Sequence, residues 1–191
     1  MSVSSTDKGL LTPDNCAVIF IDHQPQMFFG VANMDRQDLL NNVLVLGKAA
    51  KIFGVPVILT AVEAKGFSGN ITPQLLELFA DQTPIERSSM NAWDSNEFIA
   101  AVKKTGRKNV ILAALWSEVC LAMPALQALT DGYAIYMVVD ESGGAGIVAH
   151  DAAIRRIALE LHGSSIPFPG FIMPITKVEI ERRASMRYKH S

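Results

Sequence analysis

Asp22, Arg87 and Cys120 are the residues of this chain whose types and positions suit shared chemistry: an acid, a fixed cation and a thiol. Cys120 lies in Trp116-Ser117-Glu118-Val119-Cys120-Leu121, directly after the apolar run Val110 to Leu115. That run reads as a buried parallel strand, and the segment after it reads as helix. The thiol therefore falls at a strand-to-helix corner, where an open α/β sheet binds its ligands. Unpaired amides of a first helical turn, together with the helix dipole, favour the thiolate, which is the nucleophile. The competing reading is a buried cysteine packing as a small hydrophobe. A second apolar run, Cys16 to Ile21, ends in Asp22-His23-Gln24-Pro25, so a carboxylate that needs a partner sits at another strand end. Between them, Glu86-Arg87-Ser88-Ser89-Met90-Asn91-Ala92-Trp93-Asp94 supplies the cation.

The elements that must position these groups alternate between strand and helix, which predicts a parallel sheet with helices on both faces. Strands are expected near 16–21, 56–61, 109–115 and 134–139, a short one around Pro84-Ile85 and a last one around Ser165–Phe168. Helices are expected near 36–53, 73–79, 94–105, 118–131 and 148–162. Gly54, Gly106 and Gly132 fall where helices should stop in a left-handed turn, and Asp94 is placed to cap a helix starting at Ser95. Pro124 has no amide hydrogen, so a helix already begun at Glu118 should kink or start late.

The bounds agree with this. The chain has 191 residues, 49% of them hydrophobic, enough for one well-buried domain over 1–191, with a core of about 15–168 and a tail from 169 to 191. A net charge of −2 offers no field for nucleic acid or a membrane surface. No apolar run is long enough to span a bilayer, and Met1-Ser2-Val3-Ser4-Ser5 does not read as a secretory signal. Two cysteines, with Cys16 inside a strand, point to a reducing cytoplasm and no structural disulfide.

The ordered motifs Asp-His-Gln after the first strand, Arg-Ser-Ser-Met-Asn-Ala-Trp in the middle and Trp-Ser-Glu-Val-Cys before the nucleophile's helix resemble the isochorismatase-like cysteine hydrolase superfamily, and within it the YcaC-like branch, from about Asn15 to about Leu161. The resemblance implies a three-layer α/β/α sandwich with a six-stranded, mostly parallel sheet and a triad of Asp22, Arg87 and Cys120. Arg87 stands where the superfamily has lysine, as it does in the YcaC-like branch, and its guanidinium stays protonated, so proton transfer would fall to Asp22. The reaction implied is hydrolysis of a small amide, ester or related carbonyl compound through a thioester-like acyl enzyme. Amides of Val119 and Cys120 would hold the oxyanion, beside a cis peptide expected at Trp116-Ser117. Partners would be a small-molecule substrate and copies of the same chain, as a dimer, tetramer or octamer, with no cofactor.

Gln24, Phe28, Asn91 and Trp93 are candidate pocket residues, with Phe29 beside them, and Trp116 could wall the site or pack under it. Gln24 would orient Asp22 or touch substrate. No metal is expected, because the aspartate–histidine spacing around His23 differs from that of zinc-dependent relatives such as nicotinamidases, and His150, His162 and His190 are scattered. His150 reads as a helix-start or interface residue. Ser142-Gly143-Gly144-Ala145-Gly146 reads as a flexible loop on the ligand side without the order of a dinucleotide fingerprint. The segment after Leu161 departs from the superfamily's pattern, and three prolines from 167 to 174 leave room only for a short edge strand and a tail that frays or packs on a neighbour. Two other classes compete with the hydrolase: a catalytically weak metabolite-binding or oligomeric scaffold, and a protein oxidised reversibly at Cys120, which lacks a nearby resolving thiol.

Overall fold

Continuous apolar runs pair only where both faces of a sheet are covered, and the computed structural model, which describes residues 11–163 and 172–173, shows this arrangement. The strands are β1 (Cys16–Ile21), β2 (Val57–Val62), β3 (Ile85–Arg87), β4 (Asn109–Ala114), β5 (Ala134–Val138) and β6 (Ile172–Met173). They lie parallel in the order β3-β2-β1-β4-β5-β6. All of β1 is buried. The helices are α1 (Pro25–Phe29), α2 (Arg36–Phe53), α3 (Pro73–Leu78), α4 (Asn96–Lys104), α5 (Ala122–Thr130) and α6 (Ile147–Gly163). α2 packs with α3, and α5 with α6.

The topology fixes where chemistry can sit. From β1 the chain steps to β2 and β3 on one side, then returns to β4 and steps to β5 and β6 on the other. Right-handed crossovers then put the helices of the two halves on opposite faces, and a crevice opens at the strand ends between β1 and β4, where the direction reverses. Ile21 is in register with Ala114 of β4 and Thr60 of β2, and Val62 with Arg87. Asp22, Arg87 and the turn before Cys120 are thus delivered to one edge of the sheet.

Local signals set the boundaries. Asp35 caps α2 by accepting from the amides of Gln37 and Asp38, and Gly54, Gly106 and Gly132 have φ of 65°, 68° and 78°, the left-handed stops expected. Ser95 caps α4 by accepting from the Phe98 amide, not Asp94 as expected. Asp94 lies in a preceding turn, where its carboxylate is taken by Ser89 and Asn91. Pro124 acts as expected. The chain from Ser117 to Leu121 forms a wide π turn, and α5 begins at Ala122. The final strand expected at 165–168 and the tail lie outside the described residues, and β6 extends the edge at 172–173. No helix among the described residues is long and apolar enough to cross a membrane.

Candidate active site

Asp22 follows β1 with φ of 59°, a left-handed conformation in which aspartate is one of the few tolerated side chains. Its carboxylate is fully buried. Oδ1 accepts from the Val62 amide at 2.9 Å, and Oδ2 accepts from the Arg87 guanidinium at 2.5 Å. Arg87 also donates to the carbonyl of Ser89, and its Nε is buried without a hydrogen-bond partner. The Cys120 thiol completes the cluster by donating to Asp22. The three residues sought in the sequence are therefore brought into one buried constellation.

The electrostatics of this cluster correct one expectation. Burial pushes the Asp22 carboxyl up from the ordinary aspartate range, against the lowering effects of Arg87, the thiol and the Val62 amide. Burial also pushes the Cys120 thiol well up, and the neighbouring Asp22 charge adds to it, outweighing the Trp116 amide and Arg87. The thiol is therefore a protonated donor at rest, not the thiolate that a helix terminus would favour. The first-turn amides are also engaged. Val119, Cys120 and Leu121 all donate to the Trp116 carbonyl, at 3.1, 2.8 and 3.3 Å. The wide turn collects the three amides on one oxygen, so the oxyanion donors expected at Val119 and Cys120 are not unpaired. The cis peptide is at Leu115-Trp116, one bond before the expected position. Ser117 is already the first residue of the π turn, so the bond leading into it is an ordinary trans link.

The pocket candidates divide. Gln24 is fully buried, and its amide pairs with both backbone groups of Val62, accepting at 3.2 Å and donating at 2.9 Å, besides donating to the Gly69 carbonyl. It holds the strand end whose amide holds Asp22. Phe28 is half-buried, with its ring 6.2 Å from that of His23, whereas Phe29 is exposed. Trp116 donates from its indole to the Met27 carbonyl at 2.9 Å, and a Cβ at Gly30 would overlap its ring, so it packs against α1. Asn91 and Trp93 are buried, and their polar atoms bond to protein partners. Asn91 bonds to Asp94 and Gln127, and Trp93 packs on Phe98 and Tyr133 while donating to Asp131.

Sequence reasoning missed a strap across the Ser117–Leu121 turn. Gly143 accepts from the Ser117 amide, Gly144 accepts from Ala32 and donates to Asn33, and Ala145 donates to the Glu118 carboxylate. A Cβ at Gly143 would press into Val31 at 2.6 Å, which is why glycine is needed there. These bonds pin the loop that the composition suggested was flexible. His150, at 6% exposure, bonds through Nδ1 to Ser117 Oγ at 2.8 Å, and burial pushes its imidazole down, towards the neutral form. Only a motif spanning 33 residues would have revealed that pair.

His23 is part of the support. Its Nε2 donates to the Glu141 carbonyl at 3.1 Å between the rings of Phe20 and Phe28. Full burial lowers it from 6.5 to about 4. The unfolded chain therefore binds the proton first as pH falls, and stability is lost between pH 6.5 and about 4. Denaturation across that interval should show a loss of about 3 kcal/mol that a His23→Gln variant lacks. Equal acid sensitivity in the two proteins would refute it. Among the described residues no group of three or more His, Cys, Asp or Glu side chains is placed to hold a metal ion.

The family model described as the isochorismatase domain matches residues 16–164. The probable hydrolase YcaC of Escherichia coli is 38% identical over 149 residues, covering 78% of this chain and 72% of its own length. Its crystal structure, described as an octameric hydrolase of unknown specificity, superposes with a TM-score of 0.76 at 37% identity over 78% of this chain and 74% of that one. YcaC from Pseudomonas aeruginosa, solved with hexane-2,5-diol and covalent acrylamide, superposes with a TM-score of 0.77 at 38% identity, over 78% of this chain and 75% of that one.

Proposed function

The chain belongs to the isochorismatase family of hydrolases, and from that premise we propose that it is a cysteine hydrolase of a small amide, ester or related carbonyl compound. The observation that carries the reading is the buried contact of Asp22 with both the Arg87 guanidinium and the Cys120 thiol. As Sγ attacks the carbonyl carbon, its proton passes to Asp22. The C–N or C–O bond then breaks, the leaving amine or alcohol takes that proton, and a thioester remains on Cys120. Water attacks the thioester, giving one proton to Asp22, and the departing sulfur recovers it as the acid product leaves. Arg87 never exchanges a proton; it keeps a cation beside the carboxylate throughout. Negative charge on the carbonyl oxygen would be shared by the amides of Val119 and Cys120, which would then serve two acceptors, as amides at helix ends often do. Phe28 and Trp116 border this end of the sheet and suit a small substrate.

A homo-oligomer is part of the same reading. The Escherichia coli relative is octameric, and Phe67, Val148 and Leu159 are 87%, 84% and 72% exposed in one chain. The mass in solution reads this directly.

Acrylamide tests the nucleophile, since it is bound covalently in the Pseudomonas aeruginosa relative. Peptide mapping after exposure should find the adduct on Cys120, whose thiol meets the Asp22 carboxylate, and not on Cys16, whose buried thiol donates to the Thr12 carbonyl and has no such base to take its proton. The adduct should form more slowly in Asp22→Asn. A Cys120 that stays unmodified from about pH 6 to about pH 9 would overturn the mechanism and leave the binding scaffold as the better account.

A further inference from the structure

The loop that carries the cation is fastened to the helix that follows the thiol, at a point away from the reacting atoms. After Arg87 donates to Ser89, the Ser89 hydroxyl donates to Asp94 Oδ2 at 2.8 Å. Asn91 Nδ2 donates to Asp94 Oδ1 at 2.8 Å and to Gln127 Oε1 at 2.7 Å, while its oxygen accepts from the Trp93 amide at 3.2 Å. Trp93 Nε1 donates to Asp131 Oδ2 at 2.8 Å, next to the end of α5. Gln127 lies in α5, seven residues after Cys120 and beyond the wide turn that holds the thiol. At 7% exposure, Asn91 uses both amide hydrogens and its oxygen, and a buried amide so fully engaged admits one orientation. The loop from 88 to 94 is therefore a brace lying along α5. Arg87 sits at one end, against Asp22, and Asn91 holds the middle.

We propose that the Asn91–Gln127 bridge is a positioning device of the reaction, fixing the Arg87 guanidinium against Asp22 beside Cys120. This rests on the hydrolase reading above. Without the bridge, the side-chain tie that remains from the loop to the end of α5 is Trp93 with Asp131, and the loop beyond β3 has more room to let the guanidinium draw back from the carboxylate. The Cys120 thiol would then be harder to deprotonate, and Asp22 would be left burdened by its own burial.

Gln127 is exposed, so its replacement tests the bridge without opening the core. Gln127→Met keeps the length and removes the acceptor; Gln127→Glu keeps an oxygen acceptor. The readout is the rate of Cys120 alkylation by iodoacetamide as a function of pH, alongside thermal unfolding. Gln127→Met should move the alkylation profile up by about half a pH unit, a roughly threefold slower reaction at neutral pH, with unchanged unfolding temperature. Gln127→Glu should follow wild type. A Gln127→Met profile that superimposes on wild type, or equal shifts in both variants, would overturn the proposal. A wild-type Cys120 that is unreactive at every pH would instead remove the hydrolase reading, and the bridge's role with it.

Discussion

Cys120→Ala will abolish turnover of any substrate found for this protein, by roughly 10⁴-fold or more, while leaving its unfolding temperature close to wild type. The thiol supplies the only bond the mechanism makes to substrate, so neither Asp22 nor Arg87 can replace it. The deletion removes one sulfur from a core already rich in alanine around it: Ala113, Ala114, Ala122 and Ala125 are all buried. Asp22→Asn should fall short of that loss, at roughly 10²- to 10⁴-fold, because it keeps an acceptor for the Val62 amide but cannot take the proton. The pH profile separates the two roles. The reaction needs the Asp22 carboxylate, which burial holds above the ordinary aspartate range, so the rate should fall as pH drops through that raised value. A rate that kept its acid limb in Asp22→Asn would assign the limb to another group. Full activity in Cys120→Ala would end the covalent mechanism.

Arg87→Met is the substitution expected to cost most stability. The guanidinium is almost entirely inaccessible and meets a carboxylate that is wholly so. Removing one partner of such a pair strands the other, typically at about 3–5 kcal/mol, whereas removing both is often nearly neutral. Denaturant titration should therefore find Arg87→Met severely weakened, and the double variant Asp22→Asn, Arg87→Met largely recovered. The pH dependence has a definite sign. With its folded-state pKa raised, Asp22 imposes no penalty below its unfolded pKa; the penalty grows as pH rises from there towards the folded value and is complete above it. Losing Arg87 raises that value further, so the gap between Arg87→Met and wild type should be wider at about pH 8 than at about pH 5. A gap that narrowed with rising pH would show that Asp22 does not carry the charge assigned to it.

What could be read from the residues depended on how local their physics is. β1, β4 and β5 were legible because a strand covered on both faces must be apolar at every position. The stops at Gly54, Gly106 and Gly132 were legible because each is a single residue's backbone preference. Asp22, Arg87 and Cys120 emerged because strand ends converge in this topology. Helix α1 was not foreseen, since five residues are too few to show a period. The capping role went to Ser95 because Asp94 was already engaged by Ser89 and Asn91. Asn91 and Trp93 looked like pocket walls because an amide and an indole suit ligands. Their actual partners, Gln127 and Asp131, lie 36 and 38 residues away, a pairing only the folded chain reveals. The strap at Gly143–Ala145 misled for a similar reason: glycine signals freedom in sequence, yet here it serves close approach.

The wide turn before α5 also acts as a register device. Pro124 gives the Cys120 carbonyl no amide to meet four residues on, and the turn from Ser117 to Leu121 absorbs the mismatch before regular helix resumes at Ala122. Each residue of a regular helix turns the next side chain by about 100°. Removing a single residue from that turn would therefore let the chain wind directly into α5, keep its helical content and its packing partners nearly intact, and point the thiol away from Asp22. A chain one residue shorter there would keep Asp22, Arg87 and Cys120 in its sequence and lose their contact in its fold.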